Sequence, residues 1–375
     1  MALNKDVIKA RAESHGFSFV GFTEAKATPH LNAYLKHIRD FEHSDLAFLS
    51  RSYVVNGRRD PTCLMDNAST VIVLGVCYPP PQTNNKKKMI ANGTIAAYAV
   101  MPDYHDVIRE KATLVVHSLQ KECTTTFKTR IFIDSGPMME KDMAYSAGLG
   151  WIGKNTLCIH PKYGSFFFIC CILTDLNLDA DDFFNEDLCG DCQKCEIACP
   201  TNCIHDHRID VMRCISYLTA EHRGVIPHAM RKQIGNRIFG CDICQSVCPR
   251  NVNTKKPENG YFFHINPKLK SQPDLCEQLK HTPVSFKEYF SGTPILRIGY
   301  ERYVRNIVVA AGNSGNDEYI PLLKRLVTSS SELISLHAAW ALTNFEDNNT
   351  RDFLLGLLNT NINKELKKEI SELVE

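Results

Sequence analysis

The 375-residue sequence predicts a multi-domain α+β fold made of three parts. Strand-like and helix-like segments are mixed up to residue 178, a cysteine-rich segment covers residues 179–255, and paired apolar helices fill residues 301–375. A chain of this length accommodates two or three domains of roughly 100–200 residues each. The mixture implies an α/β or α+β first domain, and we expect an α/β domain at 1–178, a small domain at 179–255, a connector at 256–300 and a helical domain at 301–375.

Secondary structure in the first domain is predicted from hydrophobic periodicity and from residues that end helices and strands. The prolines at 79–81 end a buried strand because proline cannot donate a hydrogen bond to a sheet. Asp103 opens a helix, and the segment 82–93, with Lys86, Lys87 and Lys88, is predicted to be a polar surface loop. Helices are predicted over residues 3–15, 29–50, 104–121 and 138–148, and strands over 17–22, 70–78, 95–99, 131–133 and 165–173.

Composition places the chain among ordinary soluble proteins, with 44% hydrophobic residues, 23% charged residues and a formal net charge of +1. The first twelve residues alternate charged and apolar side chains, unlike the apolar core of a signal peptide. The longest apolar run, residues 166–173, is too short to cross a bilayer. We expect a cytoplasmic monomer that does not bind membranes. In that reducing compartment the 16 cysteines favour metal ligation over disulfides.

The central segment carries two sets of cysteines, each followed by a proline. The first set has the spacing C-x₂-C-x₂-C-x₃-C-P of a bacterial ferredoxin loop, in which three thiolates bind one 4Fe-4S cluster and the fourth reaches another. This spacing predicts a ferredoxin-like domain with two clusters. The crossed rule assigns Cys189, Cys192, Cys195 and Cys248 to one cluster, and Cys199, Cys214, Cys241 and Cys244 to the other.

Two other interpretations of the cysteines stay open at this point. Four cysteines in CxxC pairs are also typical of structural zinc sites, and disulfides are a third alternative. Cys214 is an irregular ligand, since it stands apart from the second set. Cys170, Cys171 and Cys203 are left over, and we expect them to be buried thiols.

Charge is unevenly distributed around these cysteines. Residues 175–191 contain seven acidic residues and no lysine or arginine, whereas residues 208–256 contain nine basic residues and three acidic ones. A local basic excess can bind phosphates, although a solvated surface is the commoner explanation.

Asp134 is the candidate for acid–base chemistry, because it follows an apolar strand and precedes Ser135, Gly136 and Pro137. A desolvated carboxyl there could hold a proton near neutral pH, as a general acid must. Alternatively, Asp134 caps the helix at 138–148. The loop Gly150–Thr156 offers backbone amides beside Trp151 for a large cofactor, or is a tight turn around a buried tryptophan. His105 is expected to be a surface or capping residue.

The C-terminal region contains two similar apolar segments, Val304–Gly315 and Leu336–Phe345, aligned at a spacing of 31 residues. Each is followed by a second apolar helix, at 320–327 and at 353–358. The pattern is similar to HEAT-like helix pairs, although its period is shorter. Two pairs cannot form a solenoid alone, so we expect them to pack on the rest of the chain as a binding flank.

Five motifs stand out along the chain: Asp134–Lys141, Gly150–Thr156, Cys189–Pro200, Arg213–Thr219 and Ile234–Cys244. Together they resemble the epoxyqueuosine reductase family over roughly residues 5–255. The resemblance implies a cobalamin-dependent enzyme that reduces epoxyqueuosine to queuosine at the wobble position of tRNA, with electrons from an external donor of the flavodoxin or ferredoxin type or from a chemical reductant.

The resemblance also implies roles for individual residues. Asp134 matches the family's proton donor. The cobalamin contacts would be Gly57, Arg58, Ala97, Tyr98, Asp134, Trp151, Lys154, Asn155, Thr156, Cys158 and Ser216, and the tRNA contacts His222, Arg223, Arg231, Lys232 and Arg237. The alternatives are a reductive dehalogenase-like or cobalamin-reducing protein and, in a different class, a plain iron–sulfur electron carrier.

Overall fold

The structure is a computed structural model that describes residues 3–42, 44–81, 92–252, 254–258 and 260–374. Lys86, Lys87 and Lys88 of the predicted surface loop lie outside the described residues. No helix in the described part of the chain is both long enough and apolar enough to span a membrane.

A four-stranded sheet forms the centre of the first domain. Its strands, in order across the sheet, are β1 (Phe19–Glu24), β2 (Thr70–Cys77), β7 (Phe167–Thr174) and β4 (Thr129–Phe132). Every pairing in it is antiparallel, so the domain is α+β and the expected α/β arrangement is wrong. All eight residues of β2 are buried because β2 lies inside the sheet with both faces covered. Outside this sheet, β5 (Trp151–Ile152) pairs with β6 (Cys158–Ile159), and β3 (Thr94–Ile95) pairs with β10 (Arg237–Phe239).

Helices cover both faces of the sheet, as the alternation of side chains along β2 requires. Ile72 and Leu74 point to the face that packs against α1 (Lys5–Ser14) and α4 (Tyr104–Glu122). Val71 and Val73 point to the opposite face, which packs against α5 (Glu140–Ser146). Asp103 caps α4 by accepting a hydrogen bond from the backbone N–H of His105 at 3.0 Å, as predicted.

The helix predicted over residues 29–50 is broken. Only α2 (Leu31–His37) and 3-10 turns at Ile38–Phe41 and Ala47–Ser50 form there, followed by α3 (Ser52–Arg59). The hydroxyl of Ser44 donates to the carbonyl of Phe41 and accepts from the N–H of Leu46, so local hydrogen bonds replace those of a helix.

The cysteine-rich segment contains short elements and shares one hydrophobic core with the C-terminal helices. Apolar side chains between Ile215 and Phe239 pack against these helices, so this segment has an apolar core as well as its cysteines. Its elements are α6 (Lys194–Ala198), β8 (Ile204–His205), β9 (Arg208–Ile209), a π-helical turn at Tyr217–Glu221, α7 (His228–Ile234), β10 (Arg237–Phe239) and α8 (Ile243–Ser246).

The C-terminal helices are held to the cysteine-rich segment by buried polar side chains. The fully buried guanidinium of Arg305 donates to the carbonyls of Leu218, His222 and Gly224, each at 2.8 Å. At Gly312 a Cβ atom would lie 2.7 Å from that of Ala341, so glycine permits the close approach of two helices. The helices are α9 (Leu275–Leu279), α10 (Pro283–Tyr289), α11 (Gly299–Ser314), α12 (Ile320–Val327), α13 (Glu332–Leu342), α14 (Asn348–Leu358) and α15 (Lys364–Val374).

Candidate active site

Asp134 lies just beyond the end of β4 with its backbone in the left-handed region, at φ 52°. Aspartate adopts this conformation more readily than most residues, although it is uncommon outside glycine. The side chain is 69% exposed, so the expected desolvation is not found. Helix α5 begins at Glu140, and its N-cap, Met139, makes no side-chain capping bond. Asp134 therefore does not cap this helix, and that alternative is wrong.

Two adjoining cavities of about 500 and 450 Å³ meet at Asp134. One extends under α5 toward Cys158 and Phe167, and the other toward Tyr98 and Phe239. Both are lined by Leu49, Arg58, Tyr104, Asp134 and Glu140. The first domain, the cysteine-rich segment and the connector all contribute to these walls, so the site forms only when the three are packed together.

Side chains from the start of α4 contact the carboxyl of Asp134. The hydroxyl of Tyr104 donates to Oδ2, and Nε2 of His105 lies 3.9 Å from the same oxygen. His105 is buried, with Nδ1 2.8 Å from Asp103 and Nε2 3.2 Å from Nη1 of Arg297. Burial and the charge of Asp134 raise the pKa of Tyr104 strongly, so Tyr104 stays protonated and acts as the donor.

Glu140 and Lys141 contribute polar groups to the cavity from the first turn of α5. Burial, and then the charge of Asp134, raise the pKa of Glu140 to about 7. Lys141 is exposed, and its Nζ donates to the carbonyl of Thr156 at 2.8 Å. Among the described residues, Oε1 of Glu140 and Nε of Arg58 are buried without a hydrogen-bond partner. Unpartnered polar atoms of this kind fit a ligand that carries amide groups on its edge.

The residues expected to contact cobalamin fall into two sets. Arg58, Tyr98, Asp134 and Cys158 line the cavities, whereas Gly57 packs closely against Pro137. The other residues of the set do not line the cavities. Ala97 donates its N–H to Asp242 at 2.7 Å, the carbonyl of Thr156 accepts a hydrogen bond from Lys141, and Ser216 precedes the turn that brings Ala220 to the cavity. Trp151, Lys154 and Asn155 lie beside the cysteines.

Four thiols surround a separate space in the cysteine-rich segment. Cys189, Cys192, Cys195 and Cys248 line it together, although Cys248 lies more than fifty residues from the others. The indole N–H of Trp151 donates to Sγ of Cys189 at 3.3 Å. Four thiols around one space fit a 4Fe-4S cluster, for which thiolates are the usual ligands. These are the four cysteines that the crossed ferredoxin rule assigns to one cluster. That they bind the cluster stays a prediction.

Two thiols of the second set, Cys199 and Cys214, lie beside Cys203. Burial raises the pKa of Cys244, and the charges of Cys241, Cys214 and Cys195 raise it further. Cys203, which the spacing left unassigned, has its Sγ 3.4 Å from that of Cys199, and hydrogen bonds with Cys199 and Cys214 raise its pKa. Cys170 and Cys171 are buried in β7, as expected.

The residues expected to bind tRNA are not equally placed. His222 and Arg223 both contact Asp45, through Nδ1 and the backbone N–H, each at 2.9 Å. Lys232 is exposed, and Arg237 is half-buried with Nη1 on the carbonyl of Ile234. Arg231 is fully buried and donates to Glu369 at 2.7 Å. The assignment of Arg231 to tRNA is therefore wrong, because a buried guanidinium cannot reach a phosphate.

Sequence reasoning missed Tyr104, His105 and Arg297 as parts of the site. Tyr104 and His105 follow the capping residue Asp103, and that position alone indicates a helix start. Arg297 donates its Nε to Asp103 at 3.1 Å from 194 residues away in the chain. No local spacing signals that contact.

Two family profiles match the chain. The profile described as "4Fe-4S double cluster binding domain" matches residues 188–251, and the one described as "Epoxyqueuosine reductase QueG, DUF1730" matches residues 58–135. Epoxyqueuosine reductase of Pseudomonas aeruginosa is 34% identical over 342 residues, covering 89% of this chain and 92% of the relative. The enzyme of Leadbetterella byssophila is 38% identical, covering 80% of this chain and 96% of the relative.

Solved structures of similar proteins extend over the whole chain. An epoxyqueuosine reductase with a tRNA-Tyr epoxyqueuosine-modified stem loop superimposes with a TM-score of 0.85 at 28% identity, covering 99% of this chain and 97% of that one. Epoxyqueuosine reductase from Bacillus subtilis, with its Asp134 catalytic loop swung out of the active site, gives 0.87 at 27% identity, covering 99% and 98%.

Proposed function

The chain belongs to the epoxyqueuosine reductase family, and we propose that it reduces epoxyqueuosine to queuosine at the wobble position of tRNA. The observation that carries this proposal is the position of Asp134, whose exposed carboxyl lies where two cavities meet, next to a segment that supplies two sets of cluster-type thiols. The reaction is the last step of queuosine synthesis.

The reaction removes one oxygen atom from a strained three-membered ring. The epoxide takes up two electrons and two protons, both carbon–oxygen bonds break, and an alkene and water are formed. An alkoxide is a poor leaving group unless it is protonated, so a proton donor must face the oxygen. Asp134 is the proposed donor, and the hydroxyl of Tyr104 fixes the direction of its carboxyl.

We assign cobalamin to the joined cavities and two 4Fe-4S clusters to the thiols. Cobalamin supplies a strongly reducing cobalt centre, and the clusters supply single electrons. Arg58, Tyr98, Glu140 and Cys158 would hold the corrin, and the buried, unpartnered Nε of Arg58 and Oε1 of Glu140 support this because corrin amides can satisfy them. Lys154 and Asn155 would instead support the first cluster.

The tRNA would reach the site with its modified base turned out of the anticodon loop, as enzymes that act on a base require. His222, Arg223, Lys232 and Arg237 are the proposed phosphate contacts. Helices α11 to α14 form two pairs that we interpret as HEAT-like, and they would lie along the stem. We place this chemistry in the cytoplasm, with a monomeric enzyme and a flavodoxin- or ferredoxin-type donor.

The test is anaerobic purification, iron and corrinoid analysis, and incubation with tRNA that carries the epoxide, followed by mass spectrometry of the nucleosides. We expect loss of one oxygen from the modified nucleoside with the parent protein. Asp134→Asn should keep iron and corrinoid contents but largely lose turnover. A cofactor-loaded parent protein without conversion would contradict the proposal, and dehalogenation activity or mere electron transfer would support the alternative functions.

A further inference from the structure

The mouth of the cavity carries exposed aromatic and basic side chains that the reaction itself does not use. Phe48 and Tyr53 line the cavity wall beside Asp134, yet 44% of Phe48 and 60% of Tyr53 is exposed. Arg51 and Arg59, also exposed, lie at the two ends of α3. We call these four residues the aromatic–basic rim. Large exposed aromatic side chains next to a polar cavity are typical of ligand contact.

The charges of the rim are not neutralised within the described part of the chain. No acidic residue occurs between Asp45 and Asp60, and neither Arg51 nor Arg59 forms an ion pair or a side-chain hydrogen bond with another described residue. Asp45 is occupied by His222 and Arg223. Unpaired guanidinium groups beside stacking surfaces are suited to a single-stranded nucleic acid, whose phosphates and bases alternate.

The rim is continuous with the basic segment proposed above for tRNA. Asp45 joins the loop before Phe48 to His222 and Arg223, and the exposed side chain of Arg223 therefore lies on the same side of the cavity. Glu221, which directly precedes His222, lines the cavity together with Phe48 and Tyr53. Phosphate contacts could thus run from one side of the mouth to the other.

We propose that the aromatic–basic rim binds the nucleotides adjacent to the modified one, with their bases stacked on Tyr53 and Phe48 and their phosphates on Arg51 and Arg59. The inference rests on the proposed function and adds the surface that holds the unstacked loop. Turning one base out of a loop exposes the faces of its neighbours, and aromatic side chains replace the lost stacking.

Binding of a fluorescent anticodon stem-loop without the epoxide, measured by anisotropy on the cofactor-loaded enzyme, tests the rim. Tyr53→Ala should raise Kd about tenfold, whereas Tyr53→Phe, which keeps the ring, should remain within about twofold. The double variant Arg51→Gln with Arg59→Gln should weaken binding and reduce the slope of log Kd against log salt by roughly 1–2.

Matched controls lie away from the cavity. Phe183→Ala removes an equally exposed aromatic ring, and Lys121→Gln removes a charge at the far end of α4; neither should change Kd. Unchanged Kd in Tyr53→Ala and in the arginine double variant would overturn the proposal, as would a change of oligomeric state in place of a change in RNA binding. Conversion of epoxyqueuosine by the parent enzyme is scored separately, so failure of the rim is distinguishable from failure of the proposed function.

Discussion

Tyr104 donates its phenolic hydrogen to Oδ2 of Asp134, which joins the first turn of α4 to the loop after β4. The backbone of Asp134 is left-handed, and this conformation sets the direction in which its carboxyl leaves the loop. Tyr104 is itself fixed by stacking on Phe168, with ring centroids 4.2 Å apart. The direction of the proposed proton donor is thus set by a hydrogen bond from a rigid helix.

Tyr104→Phe should lower kcat roughly two- to tenfold and leave KM for tRNA unchanged. A hydrogen bond to a neutral carboxylic acid, the form of Asp134 that donates a proton, contributes about 0.5–1.5 kcal/mol, and here it orients the carboxyl group. Single-turnover kinetics with epoxyqueuosine tRNA measure the effect. Tyr289→Phe removes a comparable hydroxyl, bonded to the carbonyl of Lys268, and should be neutral. Equal rates for Tyr104→Phe and the parent would show that the contact has no role.

Double cysteine variants test which thiols share a cluster. Crossed ligation predicts that Cys189→Ala, Cys248→Ala and their double variant each lose about half of the iron, because both thiols hold one cluster. Cys241→Ala combined with Cys248→Ala should lose nearly all of it. Iron analysis and electron paramagnetic resonance after anaerobic reconstitution provide the readout, with Cys63→Ala as the control. Near-complete loss in the Cys189 and Cys248 double variant would mean that the two belong to different clusters.

Glu140 should make the protein less stable as pH rises. Its pKa is raised from 4.5 to about 7, so the folded protein keeps a proton that the unfolded chain has lost between these values. Stability present below pH 4.5 is therefore lost as pH rises through 7. Glu140→Gln removes this dependence, and its advantage over the parent should grow by on the order of 1–3 kcal/mol.

Melting temperatures of the parent and Glu140→Gln, recorded from pH 5 to pH 8 with the same cofactor content, measure this difference. Glu288→Gln, at an exposed position on α10, is the control and should follow the parent. A constant difference between parent and Glu140→Gln over this range would contradict the buried carboxyl.

Arg231→Ala should destabilise the protein by about 3–5 kcal/mol, because it removes a fully buried guanidinium and leaves the carboxylate of Glu369 with Nε2 of His228 alone, at 2.9 Å. Its neighbour Lys232 is exposed, and Lys232→Ala should change stability by no more than about 0.5 kcal/mol. RNA affinity should respond in the opposite order: weakened in Lys232→Ala and unchanged in folded Arg231→Ala. Denaturation and anisotropy on both variants provide the comparison, and weaker RNA binding by Arg231→Ala alone would restore the original assignment.

Features that are defined by neighbouring residues in the sequence were predicted well. The strand at 70–78, the helix opened by Asp103 and the cysteine sets are defined by neighbouring residues, and the structure has β2, α4 and the grouped thiols at those places. The helix over 29–50 was wrong because hydrogen bonds of Ser44 compete with the helical ones. The α/β class expected for residues 1–178 was wrong, because the order of strands along the chain does not reveal which strands pair or in which direction.

The rest depended on contacts between distant segments. The basic residues near Arg231 in the sequence suggested an exposed side chain. Instead α15 covers Arg231, and Glu369 of that helix accepts a hydrogen bond from it. His105 looked like a capping residue, but Arg297, nearly two hundred residues later, turns it into part of the site. Such roles are set by tertiary packing, which no spacing within one segment records.

The pairing of β2 with β7 has a consequence for synthesis on the ribosome. Thr70 pairs with Thr174, about a hundred residues later, and β2 is buried along its whole length. At elongation rates of about 5–20 residues per second, the nascent chain displays this apolar strand for roughly 5–20 s before its partner is made. One edge of β2 pairs with β1, which is made earlier, but the other edge stays open until β7 is made. An open apolar strand edge is prone to aggregation, so chaperone occupancy of nascent chains should peak between residues 77 and 174.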